Sequence, residues 1–379
     1  MDAPDTPRRR LPRWLLLAGL GPAGFGVLSI AGRFPDAVEA VYSRRVFPAL
    51  RGLLVGAARA APVSAAEALC VLAAAVVLWR AARGVRAVAR RQLGAAALAA
   101  RAVRQLLAAA GVGYALFLAL WGLNHARQPY AHHAGLRVTA PAQGELATLL
   151  LELVVEANEL RERIDVRDLE VDGRAGHVDA RLAAGYAALA AEVPALRGSP
   201  PLVRFPWCSP VLTRLGISGI YVPFTGEAHV NARIPIWARP FIACHEVAHQ
   251  RGFAREDEAN FIAWQVCRAA GDDAFRYSAT YVAVGHVAAA LRRENEALAA
   301  VLLSRLSPAV AGDREASARF WSAHHGRLSE LSASSNDLYL RSQGQADGVR
   351  SYGRMVDLLL AERRAGLSRA GGGGARGGR

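Results

Sequence analysis

Three long apolar runs occupy the first third of the chain, and mixed polar and apolar patterning at helical spacing fills most of the rest. Residues 14–31 (WLLLAGLGPAGFGVLSIA) carry no charge over about the length needed to cross a bilayer. Residues 63–79 (VSAAEALCVLAAAVVLW) carry only Glu67, and residues 106–124 (LLAAAGVGYALFLALWGLN) are charge-free. Trp14, Trp79 and Trp121 each stand near the end of a run, where aromatic rings anchor at the membrane interface. The first run follows PRRRLPR and also has the form of a cleaved signal peptide. The second, alanine-rich and short, also has the form of a buried soluble helix. Two further runs after the first favour a retained helix. The pattern predicts a membrane anchor of about three transmembrane helices over residues 1–124.

Arginine placement sets the expected orientation. Arg8, Arg9, Arg10 and Arg13 precede the first run, and Arg80, Arg83, Arg86, Arg90, Arg91, Arg101 and Arg104 lie between the second and third. The first connection has Arg33, Arg44, Arg45, Arg51 and Arg59, diluted by Asp36 and Glu39. The N-terminus and second connection are therefore expected inside, and everything after Asn124 outside the cytoplasmic membrane.

Beyond Asn124, residues 145–164 and 178–193 place apolar side chains three and four apart, as helices do. RGSPP breaks the pattern, and PLVRF and GISGIYVPF then read as strands. TGEAHVNARIP leads to a helix predicted over about 239–251 that Gly252 stops, and another begins near Glu256. Residues 273–304 and 315–364 are helical with interruptions, and AGGGGARGG reads as a flexible tail. The expected fold is mainly α: a membrane anchor (1–124), a helical lead-in (125–200), an α+β domain with a small sheet beside its principal helix (201–365), and a disordered Gly/Arg tail (366–379).

The formal charge of +14 comes from 46 basic and 32 acidic residues, and every basic residue is arginine. With so much alanine and glycine, this reflects a GC-rich genome, and no nucleic-acid recognition motif accompanies it. No nucleic-acid partner is expected. Cys70, Cys208, Cys244 and Cys267 form no C-x-x-C pair, so no disulfide framework follows.

The chemistry concentrates in ACHEVAHQRGFAREDEANF, residues 243–261. His245, Glu246 and His249 spell H-E-x-x-H. On a helix, positions four apart share a face, so both imidazoles reach one Zn2+ ion. Glu246 is placed as the base that takes a proton from water as it attacks a carbonyl. A lone histidine would more often be a core side chain, but two at ligand spacing beside a glutamate favour a metal. HEVAHQRGFAR follows the longer H-E-x-x-H-x-x-G-x-x-H frame until Arg255 stands where the last histidine belongs. Glu256, Asp257 and Glu258 follow, and acids there also suit the first turn of a helix.

EDEAN fits E-x-x-A-[DN], which resembles the third-ligand helix of thermolysin-like and prenyl-protease-like gluzincins. That resemblance makes Glu256 the third zinc ligand and gives Asn260 the task of orienting a ligand histidine. The gap from His249 is short and Asn replaces Asp, which leaves Glu258 open as the alternative. More widely, GIYVPFTGEAHVNARIP, RPFIACHEVAHQRGFAREDEANFIAW, RYSATY and NDLYLRSQGQADGVRSYGRMVDLLL resemble an uncharacterised bacterial membrane-protein family assigned to the zincin-like metallopeptidase clan. The resemblance implies a peptidase-like fold acting on a peptide or protein, and names no substrate. GIYVPF or EAHVN would then be the strand above the metal, with Phe224 or His229 lining the cleft. Tyr277 is the foremost candidate to stabilise the oxyanion, ahead of Tyr281, His286, Tyr339, Tyr352 and the His324–His325 pair. A catalytically silent, zinc-stabilised membrane scaffold is the competing reading.

Overall fold

The computed structural model describes residues 11–173, 177, 179–342 and 354–373. Three of its helices are long and apolar enough to cross a membrane: α1 (Arg13–Ala31), α4 (Ala65–Ala89) and α5 (Ala95–Leu120). Only 6 %, 6 % and 11 % of their most apolar windows are buried by protein. Their side chains therefore need an apolar solvent, which makes membrane association the consistent environment. α1 lies along α5 at a close approach: a Cβ on Gly111 would come within 2.2 Å of the Leu17 carbonyl oxygen. Small residues let apolar helices pack backbone to backbone. α4 and α5 both run well past the apolar runs that predict them, into the arginine-bearing connection.

The segment between α1 and α4 is more than a connection. It folds as α2 (Pro35–Ala37), a π-helix (Val38–Val46) and α3 (Phe47–Ala60). Its buried face carries Glu39, Tyr42, Phe47, Arg51, Val55 and Ala58. Glu39 is held by Arg127 at 2.9 Å and faces His133 at 3.5 Å, so the segment is locked to the chain that follows α5.

After α5 come a 3-10 turn (Gly122–Ala126), α6 (Tyr130–His133), α7 (Glu145–Arg163) and α8 (Ala180–Glu192). The middle of the domain is β1 (Val203–Arg204), α9 (Ser209–Arg214), β2 (Gly219–Val222), β3 (Glu227–Val230), α10 (Arg239–Gln250) and α11 (Glu256–Ala269). It closes with α12 (Asp273–Glu294), α13 (Glu296–Leu303), α14 (Pro308–His324), α15 (Arg327–Ser342) and α16 (Met355–Gly373). α16 takes in the start of the tail expected to be disordered, and the tail beyond Gly373 lies outside the described residues.

α7 buries Leu146, Leu149, Leu150, Leu153, Val154, Ala157 and Leu160, an apolar stripe at helical spacing, and packs it on α12. α10 and α11 are buried on nearly every side, at the centre of the core. The sheet has order β1-β3-β2, with β1 parallel and β2 antiparallel to β3. Buried β3 is central, and β2 is the edge strand beside α10. The architecture is thus mainly helical with a small mixed sheet, as the sequence pattern predicts.

Candidate metal centre

α10 begins with Pro240 in its first turn and ends where Gly252 takes φ +84°. That conformation favours glycine, and a Cβ there would also meet the Phe47 ring at 2.7 Å. The chain turns through Phe253 and restarts as α11 at Glu256. This tight turn brings the first residue of α11 back against the last two turns of α10.

His245 and His249 meet edge to face, with ring centroids 4.7 Å apart and Nε2 atoms 3.0 Å apart. Glu256 Oε2 lies 3.3 Å from His245 Nε2, and Glu256 Oε1 lies 3.7 Å from His249 Nε2. The ligand atoms of these three residues all fall within 4.8 Å of one another. A tetrahedral ion bonded at about 2 Å separates its ligands by about 3.3 Å, which the observed distances bracket. His249 Nδ1 donates to the Phe253 carbonyl at 2.7 Å, leaving Nε2 as the lone-pair nitrogen of the neutral ring. Two imidazole Nε2 atoms facing each other at this separation need a proton or a cation between them. Burial pushes His249 down, but the Glu256 carboxylate outweighs it and holds the ring at about 9. Burial likewise raises Glu256, but the two histidines outweigh it and hold the carboxyl well below its usual range. Two nitrogens and one carboxylate, converging on one point, form a donor set that suits zinc.

Glu246 lies on the side of α10 facing β2. Burial pushes its carboxyl up, an effect that the His245 and His249 rings and the Tyr221 N–H offset only in part. The strand comes so near that a Cβ on Gly219 would lie 2.6 Å from Glu246 Oε1.

The other acids of EDEAN point elsewhere. Glu258 Oε1 accepts the Tyr130 backbone N–H at 3.0 Å. Burial and then Asp257 raise its carboxyl to about 7. Asp257 pairs with Arg255. Of the two glutamates left open by the sequence, Glu256 is the one brought to the histidines. Asn260 is buried, and its Nδ2 reaches no partner. The orienting partner of His249 is the Phe253 carbonyl instead.

Tyr277 does not join the cluster. It is fully buried, and its hydroxyl donates to Asp313 Oδ2 at 2.5 Å, a carboxylate that also holds Arg161. Tyr281 is likewise committed, to Ser317. His229 is in central β3, where its Nε2 meets Ser64 Oγ at 2.9 Å, so it ties the sheet to the start of α4 and lines no cleft. GIYV, not EAHV, is the edge strand. His324 is bonded to its own helix at the Phe320 carbonyl, His325 is exposed, Phe224 is partly exposed in the turn after β2, and Tyr352 lies outside the described residues.

Two of the other candidates do approach the site. Burial and then the His245 ring push His286 down to about 4. Burial and then the Glu256 carboxylate push the Tyr339 phenol up. Tyr339 shares a 3.1 Å hydrogen bond with His125 Nε2. His125 is itself pushed down to about 3 by burial and then His249. Trp121, the residue that ends α5, donates Nε1–H to the His249 carbonyl at 2.8 Å. Sequence reading assigned Trp121 to the membrane interface and gave His125 no role. The available signal was WGLNHARQPY, aromatic and histidine residues directly after a span.

The family comparison adds one result. The profile described as "Protein of unknown function (DUF3810)" matches residues 42–360. The chain belongs to this family. The match begins in the π-helix and takes in α4, α5 and the candidate metal centre together, so the DUF3810 unit includes apolar exposed helices and buried parts alike. Its description assigns no activity. No curated protein and no solved structure matches the chain.

Proposed function

We propose that this DUF3810 chain is a membrane-anchored, zinc-dependent hydrolase of peptide bonds with a zincin-like arrangement, its site on the extracytoplasmic side of a bacterial membrane. The observation that carries the reading is the convergence of His245, His249 and Glu256 with Glu246 one residue along the same helix. Zinc held by those three residues supplies a Lewis acid that acidifies water and polarises a carbonyl. Glu246 is the base: burial raises its carboxyl, which makes it a better proton acceptor than an ordinary carboxylate for taking a proton from water and returning it to the leaving amine. Edge strand β2 offers backbone N–H and C=O groups to an extended peptide. Tyr339, hydrogen-bonded to His125, and His286 take the place of Tyr277 as candidates to answer charge on the attacked oxygen.

The test is metal analysis of protein purified in detergent without chelators, beside cleavage of a peptide library. About one zinc per chain is expected. Glu246→Gln should keep the metal and lose hydrolysis by at least ~100-fold. Wild-type protein that holds no zinc overturns the reading.

One observation favours a second reading. His245, Glu246 and His249 are each at most 7 % exposed, so a closed metal site could serve to brace α10 against α11. A zinc-stabilised scaffold of this kind binds zinc equally well and shows no Glu246-dependent cleavage. A cellular phenotype restored in full by Glu246→Gln selects it.

A further inference from the structure

Arg51 in α3 and Arg251 at the end of α10 are buried, at 3 % and 6 % exposure. Arg51 donates Nη1–H to the Gln250 carbonyl at 3.3 Å and Nη2–H to Ser199 Oγ at 3.2 Å, while its Nε reaches no partner. Arg251 Nε and Nη1 reach none, and its guanidinium lies 5.3 Å from the centroid of the Tyr186 ring. The two cations press on one point. A Cβ placed on Gly198 would lie 1.9 Å from Arg51 Nη2 and 2.1 Å from Arg251 Nη1.

The other two buried arginines among the described residues, Arg127 and Arg204, each meet a glutamate. Among the described residues Arg51 and Arg251 meet no such carboxylate. Two like charges out of water repel each other and lose hydration, and this costs heavily without compensation. The C-terminal carbonyls of α10 offer about half a negative charge, and the Tyr186 face adds a weaker attraction. Neither matches two full positive charges. The unused Arg251 Nη1 and the Ser199-bound Arg51 Nη2 both abut the turn at Gly198 and Ser199, where Gly198 is exposed.

We propose that Arg51 and Arg251 form a binding site for one small inorganic anion, of the chloride or phosphate class, beneath the Gly198–Ser199 turn. Guanidinium groups hold such anions through charge-assisted N–H bonds, and phosphate in forked pairs. The anion joins α3, between two membrane spans, to the C-terminal end of the helix that carries both histidines. This inference stands apart from zinc binding and hydrolysis, because it rests on neither.

The experiment is thermal unfolding of the full chain in a neutral detergent at constant ionic strength. Sodium chloride or sodium phosphate replaces sodium gluconate stepwise. A saturable rise in Tm of about 2 °C is expected with chloride or phosphate. Arg51→Gln/Arg251→Gln should abolish it. Arg251→Lys keeps the charge but loses the fork, and should raise the half-saturating anion concentration at least tenfold. If the double variant does not fold, the wild-type titration and the Arg251→Lys shift still decide. No rise in wild type, an equal rise in gluconate, or an Arg251→Lys titration identical to wild type overturns the proposal.

Discussion

At the scale of single residues, the candidate centre depends on how a few polar atoms are aimed. Glu256 and Glu258 are two positions apart on α11, so their side chains leave the helix in different directions. Only Glu256 meets the histidines, and Glu258 is occupied by the Tyr130 N–H. Glu256→Ala should therefore strip zinc to below ~10 % occupancy, while Glu258→Gln retains it, by metal analysis of purified protein. Gly219 is a second residue-scale device, because any side chain there enters the space of Glu246 Oε1. Gly219→Ala should leave zinc bound and reduce cleavage at least ~10-fold, since a base moved by an ångström loses its geometry. Sequence spacing made His245, Glu246 and His249 legible, because a helix fixes which side chains share a face. It could not choose between two glutamates, since the turn from Gly252 to Arg255 sets which one returns to α10. It also misplaced Tyr277, whose phenol is taken by Asp313, a residue on a helix far along the chain.

At the scale of elements, the stop of α10 and the seat of the π-helix carry most of the geometry. Gly252 holds a left-handed conformation against Phe47. Gly252→Ala should destabilise the protein by about 1–3 kcal/mol and lower zinc affinity in parallel, read by unfolding and by competition with a chelating dye. The π-helix is fixed by Glu39. Burial raises its carboxyl, but nearby His133 and Arg127 outweigh it and bring it to about 2 from an ordinary 4.5. A carboxyl depressed in the folded state stabilises fully above its unfolded pKa and loses that contribution as pH falls toward its folded one. Part of the stability should thus vanish between pH 4.5 and about 2, and Glu39→Gln should flatten the dependence of Tm on pH across that window. The helices α10 and α11 were legible at nearly their observed ends, while β1 and β2 are much shorter than the segments that predict them. Gly and Pro mark the helix ends locally. The segment before α4 was read only as a charged connection, because its buried Glu39, Tyr42 and Arg51 find their partners after α5.

At the scale of the whole molecule, the apolar N-terminal helices and the candidate site form one assembly. Trp121 at the end of α5 holds the His249 carbonyl, His125 supports Tyr339, and Ser64 at the start of α4 meets Glu227 and His229. Removing residues 1–124 should therefore yield a chain that neither binds zinc nor unfolds cooperatively. A soluble, zinc-loaded 125–379 fragment would show that the anchor is separable.

What the sequence by itself determined is what local chemistry dictates. Unbroken apolar length marks helices apolar enough to cross a membrane, spacing of four puts two histidines on one face, and glycine marks where α10 ends. What only the tertiary structure decided is which groups from distant parts of the chain meet. It selected Glu256, retired Tyr277, brought Trp121, His125 and Tyr339 to the site, and left Arg51 beside Arg251. The physical reason is that a helix or strand fixes direction only along itself. Burial and charge at a given point are contributed by every element that packs there, and no local pattern lists them.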